Sequence, residues 1–201
     1  MKPKQFHAFT GYALGLSNVL TSKVGIAQAH DPSRDSSTPP EPVIFEAIWD
    51  TGATNTVITE SLATKLNLKP TGKINTHNAA GTEIRNRYLV NLFLPNNVNF
   101  PYMNVTDCKE LTGGFEVLIG MDIIGAGDFA VTNSNGKTVM SYRYPSIERI
   151  DFVEMANEQN ARLILKKAPD GRYLVSKKHK RVNKKKAERN NRRQGRKAKK
   201  H

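Results

Sequence analysis

Short apolar runs, each bounded by turn-forming residues, recur along the chain from residue 19 to residue 145. Their length and their enrichment in Val, Ile and Phe predict β-strands rather than helices. Residues 19–29 read as an extended segment, and the Ser- and Pro-dense stretch 30–40 as a loop. Val43 to Trp49 forms an apolar, buried-type strand that runs into Asp50-Thr51-Gly52-Ala53, where glycine permits a sharp turn. Thr59 to Leu66 predicts a short helix capped by Thr59, with Leu62, Leu66 and Leu68 on one side. Thr76 to Leu94 predicts a hairpin with Ala79-Ala80-Gly81-Thr82 at its tip, and Val98 to Val105 a further strand. Phe115 to Gly120 reads as a buried strand ending in glycine. Residues 129–132 and 138–142 form a hairpin across Asn133-Ser134-Asn135-Gly136, whose Asn-Gly step is a strong turn signal. The body is therefore mostly β.

The pattern changes beyond Pro145. Asp151-Phe152-Val153-Glu154 has capping-box spacing and opens a helix to about Ala161. Leu163-Ile164-Leu165 and Tyr173-Leu174-Val175 flank Pro169-Asp170-Gly171, which predicts a small hairpin. From Lys177 onward almost nothing can be buried, and a tail disordered when unbound is expected.

Charge divides the chain in the same way. Residues 166–201 hold 17 Lys/Arg against 2 Asp/Glu, a net of +15, so residues 1–165 sum to 13 − 15 = −2. A near-neutral body thus carries a strongly basic tail. Cys108 is the only cysteine, which excludes an intramolecular disulfide. His7, His30, His77, His179 and His201 are scattered, no Cys/His group has metal-ligand spacing, and neither a metal nor another cofactor is expected. No apolar run is long enough to span a membrane. Lys2 and Lys4 precede a moderately apolar stretch, and Ala27-Gln28-Ala29 resembles a leader cleavage site. Thr10, Gly11, Gly15, Ser17, Asn18, Thr21, Ser22 and Lys23 interrupt the apolar core that a secretory leader needs, and the cytoplasm is the expected compartment.

The chemistry concentrates at Asp50. A carboxylate at the end of an apolar strand is costly to bury unless it is hydrogen-bonded or shares a proton. Two such carboxylates face to face cannot both ionise, so their proton affinities separate. One can then act as general base on water while the other, protonated, polarises a carbonyl. That is peptide hydrolysis without a covalent intermediate. Only one Asp-Thr-Gly occurs in the chain, so this mechanism requires two copies of it.

Asp50-Thr51-Gly52-Ala53, preceded by an apolar strand and followed by Thr56-Val57-Ile58, resembles the catalytic loop of the retropepsins. Val117-Leu118-Ile119-Gly120-Met121-Asp122-Ile123-Ile124 resembles that family's second element, and a hairpin of flap size with Gly81 near its tip lies between them. Order and spacing agree over residues 20–145, and the Met-Asp form is more similar to cellular and bacterial members than to viral ones. The resemblance implies a single-lobed closed β-barrel with short helices and a flap, acting as a homodimer on polypeptide. It implies that Asp50 is the catalytic carboxyl, that Thr51 hydrogen-bonds across the dimer axis, and that Gly52 accepts substrate backbone contacts. Ala53, Thr54, Ala80, Gly81, Ile119 and Gly120 are the implied substrate-binding residues. The family usually pairs an acidic residue after the loop alanine with an arginine after the second glycine. Here Thr54 and Met121 hold those places, so both partners of that ion pair are missing together. Ala53 cannot hydrogen-bond a carboxylate as serine would, so a dyad working at mildly acidic to neutral pH is expected.

The expected organisation is an N-terminal extension (1–18), a protease domain (19–145), a helix and hairpin extension (146–176) and a basic disordered tail (177–201). In the tail, Lys184, Lys185, Lys186, Arg189, Arg192, Arg193, Arg196 and Lys197 are candidate contacts for RNA or DNA, salt-sensitive and blind to sequence. Two competing readings stand beside the enzyme. The body is a catalytically inactive, protease-like dimerisation module that presents the basic tails, or the chain is a nucleic-acid-binding protein whose β body serves only to dimerise; the bland reading of Asp50 itself is a structural aspartate at a strand–turn junction.

Overall fold

The computed structural model describes residues 5–31, 33, 36–78, 81–163, 166–167 and 173–174. Two compact units divide the chain, residues 1–148 and residues 149–201. The first contains strands β1 (His7–Tyr12), β2 (Thr21–Gln28), β3 (Val43–Trp49) and β4 (Val57–Thr59), then helix α1 (Glu60–Lys65). Strands β5 (Pro70–Asn78), β6 (Gly81–Leu94), β7 (Val98–Cys108) and β8 (Val117–Ile119) follow. Helix α2 (Met121–Ile124) and strands β9 (Asp128–Thr132) and β10 (Val139–Tyr144) complete it.

Six strands close into a barrel in the order β2-β3-β8-β4-β7-β6, with β2 pairing back onto β6 through Gly25↔Phe93 to Gln28↔Val90. Closure removes the unpaired edges of an open sheet. The fold is thus mostly β, as the sequence pattern predicts, and a closed single-lobed barrel with few short helices, as the resemblance implies. Side-chain alternation explains its interior: Tyr88, Val90, Leu92 and Leu94 point inward from β6 while their neighbours do not. In β7 the inward set changes parity, from Val98 and Phe100 to Val105 and Asp107. A bulge causes the change, since Val90 opposes Met103 but Leu92 opposes Phe100. Tyr102 sits there at φ 55, a costly conformation for a bulky side chain, and is held by its amide donating to Asn91 Oδ1 at 3.0 Å.

A second sheet, β1-β10-β9, is entirely antiparallel. His7–Tyr12 lies within the stretch read from sequence as an extension, yet it pairs residue by residue with β10, from His7↔Tyr144 to Tyr12↔Val139. Its one buried residue is Phe9, which meets Trp49 and Tyr142 with ring centroids 6.0 Å away in each case. Trp49 also stacks on Phe129 at 5.5 Å and donates its Nε1–H to Ser22 Oγ at 2.9 Å. This aromatic cluster fixes the end of β3, one residue before Asp50.

Local signals behave as their chemistry dictates. Thr59 caps α1 by accepting from the Leu62 amide at 3.1 Å. Asn135 and Gly136, both at positive φ, turn the chain between β9 and β10. In the second unit α3 spans Phe152–Leu163, and Asp151 Oδ1 accepts from the amides of Val153 and Glu154. Strands β11 (Lys166–Lys167) and β12 (Tyr173–Leu174) pair there, the first starting later than the predicted 163–165 because α3 runs on to Leu163. The tail residues Lys184 to Lys197 lie outside the described residues.

Candidate active site

Strands β3 and β8 are parallel neighbours, with Trp49 opposite Ile119. Their C-terminal ends therefore deliver Asp50 and Gly120 side by side. Strand β4 flanks β8 on its other side, antiparallel, with Val57 opposite Leu118. To travel from β3 to β4 the chain must cross the end of β8, and residues 50–56 make that crossing. The crossing explains Gly120. A Cβ there would lie 2.5 Å from both the carbonyl carbon and oxygen of Asn55, and 3.0 Å from the Ala53 oxygen. No side chain fits where backbone passes that closely.

Hydrogen bonds lock the crossing. The Asp50 amide donates to the Ile119 carbonyl at 3.0 Å. The Met121 amide donates to Ala53 O at 2.8 Å, and the Asp122 amide to Thr54 O at 3.1 Å. These backbone bonds join the two loops at the positions where the ion pair implied by the resemblance is missing. Beneath them Thr56, wholly buried, donates its amide to Asp122 Oδ2 at 2.9 Å and its hydroxyl to Oδ1 at 2.7 Å. Thr56 Oγ1 in turn accepts from the Gly120 amide at 3.2 Å. A carboxylate accepting several such bonds is held firmly in one orientation. Asp122 and Thr56 stand in the two sequence motifs without an assignable role there. Their partnership spans 66 positions, and nothing local in the sequence announces it.

Asp50 itself is half-buried, and its Oδ1 accepts from the Gly52 amide at 2.8 Å. Thr51, Gly52 and Thr54 are exposed, whereas Ala53 is half-buried. Ile119 is wholly buried in the barrel core, where its carbonyl rather than its side chain serves the site. The structure thus gathers Asp50, Thr51, Gly52, Ala53, Thr54, Ile119 and Gly120 at one end of the β3–β8 pair. Gly81 begins β6 at the outer end of the β5–β6 hairpin, exposed and at φ 130, a conformation that favours glycine. Ala80 lies outside the described residues.

The site offers one carboxyl group next to donor-rich backbone, with no cluster of three or more His, Cys, Asp or Glu placed to hold a metal among the described residues. A cavity of about 750 Å³ lined by Thr59, Ser61, Lys109, Thr112, Phe115 and Glu116, among others, contains no residue of the 50–56 crossing. It lacks the chemistry of Asp50. No helix of the described residues is long and apolar enough to cross a membrane.

A closed β-barrel carrying Asp-Thr-Gly on a loop that crosses a second, glycine-ended strand is the arrangement of an aspartic-protease type of site. Residues 42–126, which include both loops and the hairpin between them, match the family model described as "gag-polyprotein putative aspartyl protease". The matched segment is therefore aspartyl-protease-like in sequence. Among solved structures, the chain is similar to a retropepsin-like aspartic protease from Rickettsia conorii at 12% identity and TM-score 0.43, covering 71% of this chain and 98% of that one. The protease of Simian Foamy Virus (mac) aligns at 14% identity and TM-score 0.34, over 51% of this chain and 89% of the other. The retroviral protease-like domain of Ddi1 from Leishmania major aligns at 13% identity and TM-score 0.33, over 67% and 99%. No curated protein matches the chain.

Proposed function

We propose that the chain is an aspartic endopeptidase whose dyad forms when the Asp50 carboxyls of two copies meet. The observation that carries this reading is the single Asp50 held at the end of β3 by the Ile119 carbonyl and the Gly52 amide. In the dyad one carboxylate takes a proton from water, and the hydroxide so formed attacks the scissile carbonyl carbon. The other carboxyl gives its proton to the carbonyl oxygen. Collapse of the tetrahedral intermediate then moves a proton to the departing amine. Thr51, exposed beside Asp50, joins its counterpart across the dimer axis, and Gly52 and Ala53 meet the substrate backbone. The hairpin that carries Ala80 and Gly81 closes over the peptide as a flap.

The basic tail tethers this enzyme to RNA or DNA through phosphate contacts from Lys184, Lys185, Lys186, Arg189, Arg192, Arg193, Arg196 and Lys197. Its 17 Lys/Arg against 2 Asp/Glu over residues 166–201 support the assignment. Truncation after Lys166 is expected to abolish salt-sensitive polyanion binding while cleavage persists.

The test of the catalytic reading is digestion of a peptide library from about pH 4 to 8, with wild type beside Asp50→Asn. Cleavage by wild type alone supports the endopeptidase. A folded, dimeric wild type that cleaves nothing supports instead the inactive dimerisation module presenting basic tails.

A further inference from the structure

On the reading of Asp50 as a catalytic carboxyl, we infer that Trp49 is a positioning residue, through which sheet β1-β10-β9 holds the 50–56 crossing at its working geometry. Backbone pairing runs out at this junction. The β2 ladder beside β3 ends at Thr21↔Ile48, and the β8 ladder ends at Trp49↔Ile119. At their ends the Trp49 amide donates to Leu20 O at 2.9 Å and the Asp50 amide to Ile119 O at 3.0 Å. After Asp50 the chain turns away into exposed residues, Thr51 and Gly52.

The Trp49 ring supplies a further hold. Phe9, Tyr142 and Phe129 stand directly opposite one another in the second sheet, Phe9↔Tyr142 and Tyr142↔Phe129. Opposite residues of antiparallel strands share a face, so each strand gives one ring to a single cross-strand row. Trp49 packs against all three, with ring centroids 6.0 Å from Phe9, 5.2 Å from Tyr142 and 5.5 Å from Phe129. It stacks on Phe129 with an interplanar angle of 4°. Its Nε1–H is fixed by Ser22 Oγ on β2 at 2.9 Å. The residue is 5% exposed, so the ring cannot turn unless the row itself moves.

The same row reaches the second loop. Tyr142 donates its hydroxyl to the carbonyl of Ile123, which lies three residues beyond Gly120, at 2.6 Å. Gly127 makes room for that phenol, since a Cβ there would lie 2.6 Å from Tyr142 Cζ. One row of rings therefore holds both sides of the site, Asp50 through Trp49 and the Gly120 side through Tyr142. A loosened row lets Asp50 drift from Gly120, and misplacing a reacting group by about 1 Å costs about a hundred-fold in rate. Strand β1, which brings Phe9 to the row, is by this inference a working part of the enzyme rather than an extension of it.

The experiment compares wild type with Phe129→Leu, Ser22→Ala, Ser22→Thr and, as a barrel-core control, Val90→Ala, each in the full chain. Amide hydrogen exchange is read at Asp50 and Gly52 and at residues 92–94, and peptide cleavage is read as kcat per folded chain and KM separately. Phe129→Leu and Ser22→Ala are expected to speed exchange at Asp50 and Gly52 by about two- to ten-fold, the scale of one aromatic pair or one hydrogen bond, with 92–94 unchanged. In both, kcat falls by about ten-fold or more while KM holds. Ser22→Thr keeps the hydroxyl acceptor and matches wild type. Val90→Ala speeds exchange at 92–94 and leaves kcat per folded chain unmoved. Unchanged exchange at Asp50 and Gly52 overturns the inference, as does a uniform rise through the barrel, or a kcat that holds while exchange rises. Selective exchange changes in a chain that cleaves no peptide support the hold of Trp49 on Asp50 and sink the endopeptidase reading. Cleavage with unmoved kcat and unmoved exchange does the reverse.

Discussion

Replacing Gly120 by alanine tests the packing on which the site depends. Gly120 has φ −97 and ψ −173, a backbone conformation open to any residue, so alanine carries no conformational penalty. Loss of glycine's freedom in the unfolded chain would by itself stabilise by about 0.4–1 kcal/mol. Sterics oppose this. The new methyl would sit 2.5 Å from the Asn55 carbonyl carbon, against an ordinary carbon contact of about 3.5–4.0 Å, so the loops must part by about 1 Å. The obstacle is backbone, which cannot swing aside as a side-chain end would. Parting of that size stretches the bonds from the Met121 amide to Ala53 and from the Asp122 amide to Thr54 beyond useful length. Overpacking costs about 1–3 kcal/mol and two hydrogen bonds about 1 kcal/mol each, for a net loss of about 2–4 kcal/mol after the entropic gain. Urea unfolding of Gly120→Ala against Gly15→Ala gives the comparison, because a Cβ at Gly15 meets nothing within 4 Å. A large fall in midpoint for Gly120→Ala, with Gly15→Ala near wild type, is expected. A Gly120→Ala protein within about 0.5 kcal/mol of wild type would refute the close crossing.

Further predictions concern the barrel's supports. Tyr142, wholly buried, donates its hydroxyl to the Ile123 carbonyl at 2.6 Å, and that carbonyl also accepts from the Ala126 amide at 3.1 Å. Tyr142→Phe therefore leaves no orphaned acceptor and is expected to cost about 1 kcal/mol in thermal unfolding; a loss several times larger would contradict that partnership. Asp128 is held down to about 2 from its ordinary 3.8 by the Ser146 hydroxyl, the Arg143 guanidinium and the Ile147 amide. A folded value below the unfolded one means stability fully present above the unfolded value and lost as pH falls through the folded one. Relative to Asp128→Asn, wild type should keep a constant advantage above about pH 4 that fades toward about pH 2. A pH-independent difference in unfolding midpoint would contradict it.

How much of this could be read from residues follows from the range of the forces involved. The strand 43–49, the Thr59 cap and the Asn135-Gly136 turn each rest on interactions among near neighbours, and all three are present. Strand β1 escaped notice because only Phe9 of its six residues is buried, so the alternation that marks a strand is almost absent. The hairpin arm β5 begins at Pro70, earlier than the predicted Thr76, since an arm outside the barrel needs no apolar face. The parity change at Tyr102 depends on Asn91 across the ladder, and burial of Asp107 depends on Asn86 and Tyr88. At the site, Asp50 and Gly120 were legible as chemistry and turn. The parallel pairing of β3 with β8 that brings them together was not, because register between distant strands leaves no local mark.

The central claim, a dyad built from two copies of Asp50, is tested most directly by titrating the Asp50→Asn chain into a fixed amount of wild type and following peptide cleavage after subunit exchange. Mixed dimers would contain one carboxyl and be inactive, so about a tenfold excess of the variant should leave about one tenth of the activity. Activity that stays constant across the titration, with mixed dimers demonstrated, would contradict the shared dyad.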